Sequence, residues 1–137
     1  MSDNSNVQTL KRCYDEWHET RGGSVDAWLD IVADDFNLRS MAEGRPGAEF
    51  TAPRETKEQL AEYLSGLTGG WNMEYYRVDR YIEDGDMVVA LGSTAWTNKA
   101  TGKRVDTLKA DFWTFKDGKA TSFLEFYDSC ALLEASA

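Results

Sequence analysis

The sequence predicts an α+β domain in which helices of the N-terminal half precede a meander of strands. Two observations indicate this order. Apolar residues recur at three- and four-residue steps in the first half of the chain, which is the spacing of helices. From Trp71 onward, extended segments rich in aromatic and β-branched residues alternate with turns. A chain of 137 residues has the length of one domain, so residues 1–137 are expected to fold as a single unit.

Two helices are predicted before residue 36. The first spans about residues 6–20, and its apolar face consists of Val7, Leu10, Tyr14 and Trp17. Gly22-Gly23 ends it, and Ser24 is expected to cap the second helix, which closes at Ala33-Asp34-Asp35. Residues 36–41 are then predicted to form a short strand.

A third helix has the clearest start signal of the chain. Thr56 and Gln59 form a capping box, in which the threonine hydroxyl accepts a backbone N–H and the glutamine reaches back to the helix start. Gly69-Gly70 is expected to end this helix. The three predicted helices therefore all lie in the N-terminal half.

Four extended segments follow, at residues 71–83, 87–98, 104–116 and 119–128, and residues 129–135 are predicted to add a short helix. Turn residues between the segments favour hairpins. A twelve-residue strand approaches about 40 Å, so a four-stranded sheet of this length has to twist and curl. We therefore expect a cone-shaped, strongly curved, mostly antiparallel sheet wrapped around the three helices, with a cavity wherever the lining residues do not fill it.

Charge and composition narrow the classes of partner. Fifteen Lys and Arg residues against 24 Asp and Glu residues give a net charge of −9, which disfavours nucleic acid and membrane surfaces. The single histidine, His18, and the distant Cys13 and Cys130 do not supply a metal-ligand set, so we expect no metal and no cofactor. Two reduced thiols and the absence of a leader pattern at residues 1–6 predict a cytoplasmic protein.

Four motifs carry a family resemblance, and together they span nearly the whole chain. They are Tyr14-Asp15-Glu16-Trp17, Ala33-Asp34-Asp35-Phe36, the stretch from Asp111 to Lys119, and Glu125-Phe126-Tyr127-Asp128. In this order and spacing they resemble the nuclear-transport-factor-2-like superfamily and, within it, the SnoaL-like and ketosteroid-isomerase-related branch. The resemblance implies the cone fold and a choice among isomerases, cyclases, hydratases and proteins without known chemistry.

The resemblance also implies roles for particular residues. In ketosteroid isomerases an aspartate shuttles a proton, while a tyrosine and a protonated aspartic acid donate hydrogen bonds to the oxyanion. Tyr14 and Asp111 fall at the positions of the two donors, whereas Ser40 falls at the position of the proton-shuttling aspartate. A serine hydroxyl is too weak a base for a carbon acid, so the isomerase mechanism does not transfer unchanged.

Strand alternation suggests which carboxylate replaces that base. If Asp111 points into the cone, so do Lys109 and Trp113. On the next strand, the alternating residues Phe123, Glu125 and Tyr127 share one face. The resemblance implies that this face also points into the cone. Two acids and a lysine would then share a cavity that is otherwise lined by Trp17, Phe36, Trp96, Trp113 and Tyr127, and Ser40 is expected to bind the substrate with them.

Two close acids in apolar surroundings differ in proton affinity, which leaves one acid and one base. The leading hypothesis is that Asp111 and Glu125 form this pair and that Tyr14 donates to the carbonyl of a small hydrophobic substrate, in an isomerase, cyclase or dehydratase. Three alternatives stay open: Tyr14 belongs to the core, the charged residues form a structural network or face solvent, and the protein binds a small molecule without catalysis.

The outer face of the sheet is also apolar in the predicted parity. Its residues are Leu108, Ala110 and Phe112 on one strand and Leu124 and Phe126 on the next. Helices that occupy the interior cannot cover this face, and an uncovered apolar patch marks an association surface. Because proteins of this superfamily commonly pair their sheets back to back, we expect a two-fold homodimer.

Overall fold

The computed structural model describes residues 5–137, so residues 1–4, part of the segment examined for a leader, lie outside the described range. The helices are α1 (Asn6–Glu19), α2 (Val25–Ile31), α3 (Lys57–Gly70) and α4 (Ser129–Ala135). The strands are β1 (Val32–Ser40), β2 (Trp71–Asp84), β3 (Met87–Asn98), β4 (Arg104–Lys116) and β5 (Lys119–Phe126). No helix among the described residues is both long enough and apolar enough to cross a membrane.

The strands form one sheet in the order β1-β5-β4-β3-β2. Strands β2 to β5 are an antiparallel meander, and β1 pairs in parallel with β5. The register shifts twice between β2 and β3, and irregularities of this kind increase the local twist of a sheet. The predicted α+β fold, with a curved, mostly antiparallel sheet and three helices in the N-terminal half, is confirmed.

A close backbone approach accompanies the second of these shifts. Gly92 pairs with Val78, and a Cβ atom built on Gly92 would lie 1.8 Å from the carbonyl oxygen of Arg77. Every residue other than glycine would push the two strands apart at this point. The bend of the sheet therefore depends on a glycine in the middle of β3.

The first strand differs from its prediction. It begins at Val32 instead of residue 36, and α2 ends correspondingly early at Ile31. Asp34 and Asp35 are exposed on this edge strand, while Val32 and Phe36 are buried, and a register shift separates the two ends of the strand. The expected four-stranded sheet is also wrong by one strand, because β1 joins it as a fifth.

The helix starts agree with the sequence in position and differ in detail. The Thr56 hydroxyl accepts the N–H of Gln59 at 3.1 Å, as the capping box predicts, but the Gln59 side chain accepts from the N–H of Glu55 instead of Thr56. Ser24 occupies the N-cap position of α2, yet its buried hydroxyl makes no capping bond. Gly69-Gly70 are the last residues of α3, which continues directly into β2.

Candidate active site

A cavity of about 90 Å³ lies between the inner face of the sheet and the helices. Of the residues predicted to form the site, it is lined by Tyr14, Trp17, Phe36, Trp96, Lys109, Asp111, Trp113, Phe123, Glu125 and Tyr127. The remaining one, Ser40, is buried without lining it. Much of the wall is aromatic: Trp28 stacks on Trp113 with ring centroids 5.3 Å apart and meets Tyr14 edge-on at 4.9 Å. The cavity is thus a chamber whose wall is largely aromatic.

A buried charged cluster forms the polar part of this wall. The Lys109 ammonium lies 2.5 Å from Asp111 Oδ1 and 2.7 Å from Glu125 Oε1. The three side chains expose only 10%, 2% and 4% of their surface, respectively. Asp111 and Glu125 are directly paired in the β4–β5 register, and Lys109 shares the inner face of β4 with Asp111. The strand alternation thus brings all three together.

Three tyrosines complete the cluster. Tyr14 and Tyr76 donate to Asp111 Oδ2 at 2.5 and 2.7 Å, and Tyr63 donates to Glu125 Oε2 at 2.6 Å. Every oxygen of the two carboxylates therefore accepts at least one hydrogen bond, as ionised carboxylates require when they are buried. The oxygen of Tyr14 in turn accepts the indole N–H of Trp113 at 2.9 Å.

Burial and neighbouring charge hold the donors in their protonated forms. Burial raises the pKa of Tyr14, Tyr63 and Tyr76 well above the ordinary value, and the carboxylates they contact add to the rise. Burial alone would lower the pKa of Lys109, but Asp111 and Glu125 reverse this and raise it well above its ordinary value. Lys109 therefore stays charged, and the phenols stay donors.

The Lys109 ammonium still has donor capacity. Among the described residues its Nζ makes two hydrogen bonds, although an ammonium carries three N–H groups. The same atom lies 5.5 Å from the ring centroids of both Tyr76 and Phe123. A carbonyl oxygen that enters the cavity would find its strongest available donor here.

Ser40 reaches the cavity only through Tyr127. Its Oγ lies 2.5 Å from the Tyr127 hydroxyl, which also accepts the N–H of Ala42 at 3.1 Å. Burial, followed by the charge of Glu125, raises the pKa of Tyr127 to about 12. Ser40 and Ala42 therefore hold the orientation of a cavity-lining phenol, a role that the family position alone does not suggest.

Sequence reasoning missed Tyr63 and Tyr76. Tyr63 lies on the apolar stripe of α3, where a tyrosine is expected to be core. Strict alternation from Trp71 and Met73 would turn Tyr75 inward, but the register shift between residues 73 and 75 buries Tyr76 instead. The only signal for Tyr76 was therefore a bulge, which has no reliable mark in this sequence.

An α+β domain whose curved sheet and helices enclose an aromatic cavity has the nuclear-transport-factor-2-like fold. The family model for the SnoaL-like domain matches residues 10–123. The chain therefore belongs to the SnoaL-like domain family. No functionally curated protein matches it significantly.

Solved structures share the fold at low sequence identity. A nuclear-transport-factor-2-like protein of unknown function from Burkholderia pseudomallei superposes with a TM-score of 0.82 at 18% identity, covering 100% of this chain and 99% of that one. A protein from Jannaschia described as a SnoaL-like polyketide cyclase has a TM-score of 0.71 at 22% identity, covering 95% and 90%. A protein from Catenulispora acidiphila with a ketosteroid isomerase-like fold, in complex with trimethylamine, has a TM-score of 0.71 at 16% identity, covering 88% of each chain.

Proposed function

We propose that the protein binds a small hydrophobic carbonyl compound in the cavity and moves a proton on it by general acid/base catalysis, as an isomerase, cyclase or dehydratase does. One observation carries this proposal: Lys109 joins the carboxylates of Asp111 and Glu125 in the wall of an aromatic cavity. Apolar walls suit a hydrophobic substrate, and carboxylates beside an ammonium provide a base and an electrophilic donor in one place.

Glu125 is the proposed base, because it accepts fewer hydrogen bonds than Asp111. It takes a proton from the carbon beside the carbonyl, and the bonding electron pair moves onto the carbonyl oxygen to form an enolate. The available N–H of Lys109 stabilises that oxygen. The protonated Glu125 then returns the proton to the same carbon or to a conjugated one, which restores the carbonyl and the base.

Asp111 and Tyr14 complete the proposed machinery. Asp111 accepts hydrogen bonds from the Lys109 ammonium and from the hydroxyls of Tyr14 and Tyr76, so it sets the position of these three donors. Tyr14 donates to Asp111, so it reaches a substrate oxygen only by exchanging that acceptor for the developing enolate. This exchange becomes favourable as negative charge builds on the substrate, which is when a catalytic donor contributes most.

The comparisons support a role of this type at the level of the family. The Jannaschia protein is described as a polyketide cyclase, and cyclisation of polyketides proceeds through carbon acids beside carbonyls. The Catenulispora protein holds trimethylamine, a small molecule with an apolar surface. Both are consistent with small hydrophobic ligands for a cavity of this fold.

The test is exchange of α-hydrogens for deuterium in a panel of small cyclic ketones and diketones, followed by NMR. We expect Glu125→Gln to slow exchange by about 10²- to 10⁴-fold, the usual worth of a general base. Glu83→Gln, which removes an exposed carboxylate at the end of β2, is the matched control and should change nothing. A folded Asp111→Asn/Glu125→Gln double variant that exchanges at the wild-type rate would exclude the mechanism.

A second candidate is a binding protein that changes no bond. The hydrogen bonding of the cluster favours it, because each carboxylate oxygen already has a donor and a fully satisfied network is a stable structural element. A titration of the same ketones beside the exchange experiment separates the two functions: saturable binding of a ketone to the wild-type protein, without any deuterium exchange, would identify the binding protein.

We also propose that two copies pair through the outer face of the sheet. Leu108 is 81% exposed and Phe126 is 40% exposed. A row of apolar residues crosses this face in register, formed by Ile82, Val89, Phe112 and Leu124. Burying such a surface against its own copy stabilises a dimer by removing apolar area from water.

A further inference from the structure

The charged side chains that line the cavity carry an inference about its ligand. Among the described residues they are one cation, Lys109, and three carboxylates, those of Asp111, Glu125 and Asp128. One positive against three negative charges leaves −2. The ammonium is held between two of the carboxylates, so its positive charge is already offset within the cluster.

Asp128 extends this negative charge beyond the buried cluster. It is exposed at the start of α4, where its Oδ1 accepts the N–H of Ala131 at 2.9 Å and its own N–H is bound by the Thr107 hydroxyl at 2.9 Å. These bonds fix the carboxylate at its place in the wall. An entering anion would thus meet the negative charge of Asp128 outside the cluster and a net charge of −1 within it.

The aromatic wall adds to the same preference. The faces of aromatic rings are negative and attract cations, most strongly when the cation is shielded from water. Lys109 shows the effect within this cavity, since its ammonium lies 5.5 Å from the Tyr76 and Phe123 centroids and 6.0 Å from that of Tyr127. Trp17 and Trp96 line the same chamber and offer further ring surface to a ligand.

We propose that the ligand of this cavity carries a positive charge on an apolar amine, such as a tertiary or quaternary ammonium group. The inference rests on the proposed function only in taking the cavity as the ligand site. It names the charge class of the ligand and does not depend on whether a proton is moved. A ligand of this class satisfies both features of the wall, since its methyl groups pack against the rings while its charge offsets that of the carboxylates.

The test compares three probes of nearly the same shape that differ in charge. They are the cation choline, the neutral alcohol tert-butylethanol (3,3-dimethylbutan-1-ol) and the anion 3,3-dimethylbutanoate. Binding is measured by calorimetry and by the fluorescence of the cavity tryptophans. We expect choline to bind about tenfold more tightly than the neutral probe, with the anion weakest. Equal or tighter binding of the neutral or anionic probe, or no binding of choline at all, would overturn the proposal.

Two variants test whether the preference for a cation comes from the charges of the cavity wall. Asp128→Asn keeps the capping geometry and removes one charge, so it should weaken choline binding several-fold and leave tert-butylethanol unchanged. Glu83→Gln removes an equal charge from an exposed residue outside the cavity lining and should affect neither probe. If choline lost affinity equally in both variants, the attraction would come from the net charge of the whole protein, and the site proposal would fail.

The outcomes also separate this inference from the proposed chemistry. Choline selectivity without any deuterium exchange on ketones would support the cationic ligand and exclude the acid/base function. Exchange on ketones with no discrimination among the three charge probes would support the acid/base function and exclude the cationic ligand.

Discussion

Asp111 and Glu125 lie directly opposite each other across β4 and β5, and a single ammonium, that of Lys109, bonds to both. Two unneutralised carboxylates at this spacing in a buried wall would repel each other strongly. The lysine therefore makes the pair possible, and the tyrosines satisfy the oxygens that it does not reach. Both the stability of the fold and the proposed chemistry therefore depend on this cluster.

Removal of the ammonium should destabilise the fold. Lys109→Met retains much of the side-chain volume but leaves two buried carboxylates without a cation, so we expect a loss of about 3–5 kcal/mol in the free energy of unfolding. Urea denaturation at neutral pH measures it. Lys116→Met, at the exposed end of β4, is the control and should cost little. A loss at Lys109 no larger than that at Lys116 would mean that the cluster is not an energetic unit.

The two carboxylates should respond differently to loss of a tyrosine hydroxyl. Glu125 Oε2 has one donor among the described residues, so Tyr63→Phe leaves it bare and should cost about 1.5–3 kcal/mol. Asp111 Oδ2 keeps Tyr14 when Tyr76→Phe is made, so that variant should cost less. Chemical denaturation of both variants gives the comparison, and the reverse order would contradict the hydrogen-bond assignment.

Alkaline pH should unfold the protein through its buried phenols. Burial raises the pKa of Tyr127 from 10.0 to about 12, so the folded state holds this proton where the unfolded chain releases it. The resulting stability is complete below pH 10 and is lost as the pH rises towards 12. Tyr127→Phe cannot ionise, so its urea midpoint should fall less steeply over this range. A steeper fall in the variant than in the wild type would contradict the higher pKa of Tyr127 in the folded state.

The outer face gives a prediction about mass in solution. The wild-type chain should scatter light as a particle of twice 15.4 kDa, and a Leu108→Lys/Phe126→Lys variant as one of 15.4 kDa, because two charges at the centre of an apolar contact oppose association. Lys11→Glu, on the exposed surface of α1, should leave the mass unchanged. A monomeric wild-type protein at micromolar concentration would refute the interface.

The start of α3 offers a calibration away from the site. Thr56→Ala removes the acceptor for the N–H of Gln59 and should cost about 1 kcal/mol in unfolding free energy. Thr56→Ser keeps a hydroxyl at that position and should retain most of the stability. Equal losses in the two variants would show that the cap contributes through its methyl group and not through its hydrogen bond.

Local patterns in the sequence predicted most of the fold. The three helices and the four strands of the meander follow from apolar spacing and turn residues, and the inward parity of β4 follows from the alternation around Asp111. The pairing of β1 with β5 was not predictable in this way. The contact joins residues far apart in the chain, and exposed Asp34 and Asp35 made the start of β1 look like a helix end.

The site was predictable only as far as strand alternation reaches. Lys109, Asp111 and Glu125 come together because their strands are neighbours with a regular register at that point. Tyr76 enters the cluster because a bulge changes the parity of β2, and Tyr63 enters because a helix crosses the cavity. In both cases the hydroxyl direction depends on tertiary structure, which residue spacing does not encode.

The parallel pairing of β1 with β5 has a consequence for biosynthesis. Ser40 is the register partner of Glu125, so β1 has no neighbouring strand in the sheet until β5 has left the ribosome. Nascent chains order from the N-terminus where contacts are local, and this contact is among the least local in the molecule. Premature termination before β5 would expose the edge of β4 and leave Lys109 and Asp111 without Glu125. Such a polypeptide would be suited to recognition by chaperones and proteases.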